Sequence, residues 1–355
     1  MSAPESRKPM KLHFKNSNGP VDDRIHDLME TVGEFDHPEL IREMILCALK
    51  AGLERMNRAD LKLMNTTMKE MRFTGKIFGP YRDIRKVTVF GSARTRPEDP
   101  AYETAALFGR KLREAGYMVI TGGGPGIMQA VNEGAGKDHS FGVNIRLPFE
   151  QKSNPVLDGS NKSIVYKYFF NRKVAFLKEA HAVALFPGGF GTLDEAMETL
   201  TLVQTGKRDL MPLVLVDPPG SVYWKRWLEF LKAQLMEPGY IGPDDFHLFD
   251  RVESVDEAVE RIDRFYRRFH SLRYVDDRLV IRMKTPLSED AVAELGIKYA
   301  DILNAGGAIE VSGALPAERN ETDIVDLPRL VLDFDRHHFG RLRRLVDDLN
   351  DAPAA

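Results

Sequence analysis

The chain has 355 residues, enough for one large domain with additions or for two or three smaller ones, and enough to bury a sizeable core. Its 50 Lys+Arg against 53 Asp+Glu leave a formal charge of −3, which excludes the global basic field that holds a nucleic-acid backbone. The single cysteine, Cys47, excludes an intramolecular disulfide and a thiolate zinc cluster, and no run approaches the ~20 apolar residues of a membrane span.

Residues 1–20 are polar and mixed in charge, and read as a disordered leader of a cytoplasmic protein. From 21 to 84 the pattern is helical, with Leu40, Ile41, Met44, Ile45, Ala48 and Leu49 at three- and four-residue spacing, and so are Leu61, Met64 and Met68. Cys47, among these apolar neighbours, is expected in a core. Between 85 and 272 short β-branched runs alternate with amphipathic helices. That rhythm predicts a Rossmann-like α/β fold, a doubly wound parallel sheet with helices on both faces. Strands are predicted at Val87–Phe90, Met118–Thr121, Phe141–Ile145, Ala182–Phe186 and Leu213–Val216. Helices are predicted at Pro100–Ala115, Ile127–Ala135, Arg172–Ala180, Leu193–Thr205, Tyr223–Gln234 and Val255–Phe269. Residues 276–350 predict a small α+β domain of βαββα order; the adjacent His337 and His338 within it read as solvated surface residues, not metal ligands. No metal site and no cofactor is expected.

Ligands of such sheets bind at the carboxyl ends of the strands, where strand order reverses. Three loops at that edge carry unusual residues. Gly91-Ser92-Ala93-Arg94 is the first. The second, Gly122-Gly123-Gly124-Pro125-Gly126-Ile127-Met128, is not a dinucleotide fingerprint, because Ile127 stands where glycine or alanine is required and no acid follows near Asn144. Nor is there a P-loop, since Gly136-Lys137 lacks the spacing and the hydroxyl. The third is Phe186-Pro187-Gly188-Gly189-Phe190-Gly191-Thr192-Leu193-Asp194-Glu195. A glycine turn entering a helix aims backbone N–H groups and the positive end of the helix dipole at an anion. Thr192 and Glu195 also have the spacing of a capping box, in which each side chain bonds the other's backbone N–H. Asn171 reads as an N-cap that places Arg172 and Lys173 in the first turn of a helix, where the dipole disfavours cations and an anion is wanted opposite.

At these residues the chain resembles the LOG (Lonely Guy) family of nucleoside 5′-monophosphate phosphoribohydrolases, often labelled lysine decarboxylases. The family's P-G-G-x-G-T-x-x-E motif stands unbroken at Pro187 to Glu195, its Arg-Lys pair at Arg172-Lys173, and its G-G-G-x-x-G-[IL]-M loop at Gly122 to Met128, one residue short. The resemblance spans roughly residues 85–220 and implies a long-type member. It implies cleavage of the N-glycosidic bond of AMP or a cytokinin riboside 5′-monophosphate, to free base and ribose 5-phosphate. It also implies a small-molecule nucleotide substrate and a homodimer or higher homo-oligomer. Arg172 and Glu195 would take the catalytic pair. Gly122, Gly123, Gly124, Gly126, Gly188, Gly189, Gly191, Thr192, Lys173, Ser92 and Met128 would bind phosphate and nucleotide, with Arg94 a further candidate. An adjacent Arg172 would hold Glu195 ionised. No general acid for the leaving base is identified; Asp194 points about 100° away from Glu195 on a helix. A decarboxylase would need a pyridoxal-phosphate lysine, and Lys173, Lys178 and Lys207 lack a supporting context. The alternative reading is a non-catalytic nucleotide-binding sensor.

Overall fold

A computed structural model of the chain describes residues 18–147 and 153–354. The leader expected over residues 1–20 lies outside these up to residue 17. The chain divides between Lys69 and Glu70, inside one helix, into two compact units. In the first, helices α1 (Pro20–Val32) and α2 (Pro38–Leu53) meet through Ile25, Met29 and Leu46, and α3 (Arg58–Phe78) begins. One expectation fails in this unit. Cys47 is exposed, and the apolar stripe of α2 is largely open to solvent, with Leu40, Met44 and Leu49 all exposed. Only one edge of the stripe, Leu46 with part of Ile41 and Ile45, finds apolar neighbours.

The second unit carries the doubly wound sheet. Its strands are β1 (Lys86–Phe90), β2 (Met118–Thr121), β3 (Ser140–Ile145), β4 (Ser163–Tyr166), β5 (Ala182–Leu185), β6 (Leu213–Val216) and β7 (Asp250–Val252). They are parallel throughout, in the order β4-β3-β2-β1-β5-β6-β7, so strand order reverses at β1 and the crevice opens between β1 and β5. The period-two alternation of the strands divides the core. Val87, Val89, Ala182 and Ala184 face α4 (Pro100–Glu114), α5 (Ile127–Ala135) and α9 (Val255–Phe265). Phe90, Val183 and Leu185 face α6 (Phe169–Lys178), α7 (Phe190–Gln204) and α8 (Tyr223–Leu231). Strands β4 and β7 were not predicted. Ser163-Ile164-Val165-Tyr166 and Asp250-Arg251-Val252 are short edge strands, each paired on one side only, and lack the continuous apolar run of the inner strands.

Helix α9 ends at Phe265, not Phe269. Phe269 instead opens β8 (Phe269–Val275), an antiparallel partner of β9 (Arg278–Met283). With α10 (Glu289–Lys298), β10 (Ile309–Ser312), β11 (Arg329–Leu332) and α11 (Phe339–Asp351), the C-terminal segment is therefore ββαββα, with sheet order β10-β11-β9-β8. Glu318 and Arg329 are both fully buried there, and Glu318 accepts from Arg282 Nη2 at 2.7 Å and from Arg329 Nε at 3.2 Å. Burial works to raise the Glu318 carboxyl, but the bonds from Arg282 and from the Leu315 backbone hold it below the usual range. His337 and His338 are exposed, as expected.

Helices α4 and α5 lie closer than side chains permit. A Cβ at Gly109 would strike the Val131 carbonyl, and one at Gly134 would strike the Ala106 carbonyl. Backbone cannot yield as a side-chain tip can, so Gly134→Ala is expected to destabilise the protein by about 1–3 kcal/mol. An unchanged calorimetric midpoint would contradict this packing.

Candidate active site

The three predicted loops meet at the β1/β5 crevice and are tied together by backbone. Ser92 N–H donates to the Pro187 carbonyl at 3.1 Å, and Ile127 N–H donates to the Ser92 carbonyl at 3.0 Å. Between them lies a cleft of about 740 Å³. Of the residues singled out from sequence, its walls include Ser92, Arg94, Gly122, Met128, Arg172, Gly188, Gly189, Gly191, Thr192, Asp194 and Glu195. Gly123, Gly124 and Gly126 are buried and form none of that wall. They sit behind it, where Asn154 N–H donates to the Gly123 carbonyl at 2.9 Å and Asn154 Nδ2 to the Gly124 carbonyl at 3.1 Å. Asn132 Oδ1 completes the support by accepting from Thr121 Oγ1 at 2.8 Å and Asn154 Nδ2 at 3.0 Å. Gly123 and Gly126 have φ of +69° and +67°, a region open to glycine. A Cβ on either would also collide, with Asn144 or with the Ser92 carbonyl.

The glycines of the wall make room for side chains. A Cβ at Gly122 would stand 2.5 Å from Arg172 Nη2 and 2.7 Å from Met128 Sδ, and one at Gly188 would collide with Thr192 Oγ1. Gly189 and Gly191 face open space. Helix α7 starts at Phe190 with Gly189 as its N-cap and no side-chain cap, so Thr192 and Glu195 form no capping box. The helix begins two residues before Thr192 instead of just after it. The Gly189 carbonyl accepts from the N–H groups of Thr192 and Leu193. The amides of Phe190 and Gly191 take no acceptor among the described residues, and leave two donors of the helix start toward the cleft.

Helix α6 likewise begins earlier than predicted, with Tyr168 as N-cap, so Asn171 is not a cap. It is buried inside the first turn and donates to Glu70 Oε2 at 2.6 Å, while Glu70 Oε1 accepts from Lys167 N–H at 2.6 Å. This clamp fixes the start of the helix that carries Arg172. Arg172 Nε donates to the Val143 carbonyl at 2.7 Å, and its guanidinium lies 4.9 Å from the Phe176 ring centroid. Lys173 is not part of the cleft wall. Its Nζ pairs with Asp194 Oδ2 at 2.8 Å and Glu198 Oε2 at 2.9 Å, and stands 4.0 Å from Glu195 Oε1.

Glu195 is only 5% exposed, and its Oε2 is buried with no hydrogen-bond partner. Burial raises its carboxyl to about 7; Lys173 and Arg172 pull it down, and Glu198 and Asp194 push it up. The expectation that Arg172 keeps Glu195 readily ionised is thereby corrected. The two make no ion pair, and removal from water outweighs the guanidinium.

Sequence reasoning missed Glu70, Asn132, Asn154 and Glu198, and it missed Phe169 and Phe190 in the cleft wall. Glu198 follows Glu195 by one helical turn and was accessible to i,i+3 reasoning. Glu70 lies 101 residues from Asn171 and leaves no local signal. Phe190 is 95% exposed in the middle of the glycine turn.

A pyridoxal group does not fit these residues. The cleft wall holds no lysine, and Lys173 is engaged by two carboxylates, one of them the wall residue Asp194. Among the described residues no group of three or more His, Cys, Asp or Glu is placed to hold a metal, and no helix is long and apolar enough to cross a membrane.

The raised Glu195 carboxyl has a sign that stability can report. Below pH 4.5 the group is protonated whether folded or unfolded. Between that pH and about 7 the unfolded chain ionises first, so folding loses stability there, and the loss is complete above 7. Glu195→Gln removes this penalty. The melting temperature of the variant relative to the parent is expected to be higher at pH 8 than at pH 5; a difference that stays flat or falls would contradict the desolvated carboxylate.

A protein-family model described as "Possible lysine decarboxylase" matches residues 128–262. The chain is 27% identical over 172 residues to cytokinin riboside 5′-monophosphate phosphoribohydrolase LOG1 of Arabidopsis thaliana, covering 47% of this chain and 78% of that protein. It is 28% identical over 203 residues to cytokinin riboside 5′-monophosphate phosphoribohydrolase LOG of Oryza sativa subsp. japonica, covering 55% and 80%. A third relative, the pyrimidine/purine nucleotide 5′-monophosphate nucleosidase of Escherichia coli (strain K12), is 30% identical over 138 residues, covering 36% of this chain and 30% of its own length. The resemblance to the LOG family, first visible in Arg172-Lys173 and in the run from Pro187 to Glu195, is thus carried by a family model and by named relatives as well.

Proposed function

We propose that the protein hydrolyses the N-glycosidic bond of nucleoside 5′-monophosphates, of the AMP or cytokinin riboside monophosphate kind, to free base and ribose 5-phosphate. The observation that carries this reading is Glu195, a carboxylate removed from water with one oxygen left unbonded beside an open glycine turn. Departure of the base builds positive charge at the anomeric carbon, as in glycoside hydrolysis. A carboxylate held in a low-dielectric wall stabilises that charge more than one in water, and a carboxyl near 7 is matched to taking a proton from the attacking water at neutral pH. The substrate phosphate sits over the start of α7, on the amides of Phe190 and Gly191. Arg172, anchored through Nε, turns its remaining guanidinium N–H groups to ribose or phosphate. The buried Gly123, Gly124 and Gly126 serve this site as scaffold, and Lys173 tunes Glu195 through the shared carboxylates. In this reading the protein is a cytoplasmic homo-oligomer.

Purified protein incubated with AMP, GMP, CMP and a cytokinin riboside monophosphate is expected to release free base, seen by chromatography. Glu195→Gln should lose about 10²–10⁴-fold in rate. Tight nucleotide binding with no base released from any of the four would replace hydrolysis with the sensor reading.

The general-base role also predicts a pH profile. Glu195 must be ionised to accept the proton, so the rate should climb as pH rises through about 7 and level off above it. A rate already maximal at pH 5 would exclude Glu195 as the base.

A further inference from the structure

The second unit holds a cavity larger than the cleft. It measures about 960 Å³ and lies at the opposite edge of the parallel sheet, where Arg85 leads into β1, Tyr117 into β2 and His181 into β5. Its far side is made by the antiparallel sheet, from Phe269 at the start of β8 and Lys284 just past β9. Its lining holds five Lys and Arg against three Asp.

Three of these cations form no close ion pair, although Asp209 in the same wall acts on Arg208 through space. The Arg85 guanidinium stacks 4.2 Å from the Tyr266 ring centroid. Arg208 donates through Nη2 to the Ala180 carbonyl at 2.7 Å, while its Nε is buried with no partner. Lys284 Nζ donates to the Tyr266 carbonyl. Among the described residues none of the three forms an ion pair, and Asp263, which shares the wall, is taken up by the Tyr117 hydroxyl at 2.7 Å. Burial first, and then the neighbouring cations, lower both histidines of the lining. His181 is pulled down to about 4 by burial and then by Lys86, Arg85 and Arg208. Burial likewise lowers His270, aided by Arg85, Lys284 and Arg282. Elsewhere in this unit comparable cations are paired: Arg251 with Asp217 at 2.8 Å and Arg341 with Asp301 at 2.9 Å. Cations brought together in a concave, partly desolvated wall repel one another unless an anion enters.

We propose that this cavity is a second ligand site, separate from the cleft, that takes a small phosphorylated polyanion between Arg85, Arg208 and Lys284. The volume exceeds what a lone phosphate needs and suits a pyrophosphate-bearing molecule. Guanidinium groups match phosphate oxygens in pairs, and the Tyr266 and Phe269 side chains give the remainder of the ligand an apolar wall. The site stands on its own residues and holds whether or not the cleft hydrolyses nucleotides.

The probe is inorganic pyrophosphate, titrated by calorimetry into the full chain in phosphate-free buffer. The parent protein is expected to bind it, more weakly as salt is added. The double variant R208Q/K284Q should bind at least tenfold more weakly, whereas Arg172→Gln, which removes the cation of the cleft, should leave this binding in place. Lys284 is exposed, so Lys284→Glu alone provides a charge reversal with little risk to folding, and it too should weaken binding. Melting curves of each variant confirm that it is folded. Absence of pyrophosphate binding at millimolar concentration would overturn the proposal. So would binding lost in Arg172→Gln and untouched in the folded cavity variants, since the anion would then belong to the cleft.

Discussion

The site depends on the close approach of three backbone turns at the ends of β1, β2 and β5. Ser92 is the middle member, giving its N–H to Pro187 and its carbonyl to Ile127. These bonds bring the turns so near that a Cβ at Gly126 would strike Ser92, and one at Gly188 would strike Thr192. Gly126 and Gly188 are thus required by contacts within and between these turns of backbone. Gly189 and Gly191, which touch nothing, remain as the open surface. Behind the turns, Asn154 satisfies the buried Gly123 and Gly124 carbonyls, which a glycine run has no side chains to cover, and Asn132 Oδ1 accepts from Asn154 Nδ2 to hold it there.

Within that frame the electrostatics are set by burial more than by pairing. Lys173 divides itself between Asp194 and Glu198 and stays at the limit of ion-pair distance from Glu195. Arg172 is fixed by a strand carbonyl and by aromatic rings, and not by the carboxylate it was expected to hold. Glu195 is therefore left with a cost that no neighbour fully offsets. Such a group is poor for stability and useful for chemistry, because the missing hydrogen bond is one that a bound water or sugar hydroxyl can supply.

Much of this was legible in the chain. The inner strands announced themselves as apolar runs between turn signals, and α5 and β6 fall on their predicted residues, because a strand buried on both faces admits few alternatives. Most cleft-wall residues, though not Phe169, were reachable through the three glycine loops and the Arg172-Lys173 pair, each local in sequence. What was not legible was held by distant partners. Asn171 has the chemistry of a cap and the spacing of one, yet Glu70 claims it from another helix. Thr192 and Glu195 have the spacing of a capping box, but the chain enters α7 at Phe190 because Gly189 supplies the turn. Cys47 shows the opposite failure: it lies among apolar neighbours in sequence, yet the side of α2 that carries it is exposed among the described residues.

The parallel strands also explain why one sheet can present two unlike cavities, one at each edge. In an all-parallel sheet every amino end lies at one edge and every carboxyl end at the other, so β1 and β5 each run from the cationic cavity to the glycine turns. At the carboxyl edge, negative charge meets backbone amides and a helix start, which need no side-chain cations. At the amino edge the helices arrive with their carboxyl ends, whose partial charge is negative and whose last turns favour lysine and arginine. Lys178 at the end of α6 follows that rule. Arg85, Arg208 and Lys284 go beyond it, since they stand outside any helix and gather where the antiparallel sheet closes over the edge. The added domain thus turns an ordinary basic rim into a walled cavity.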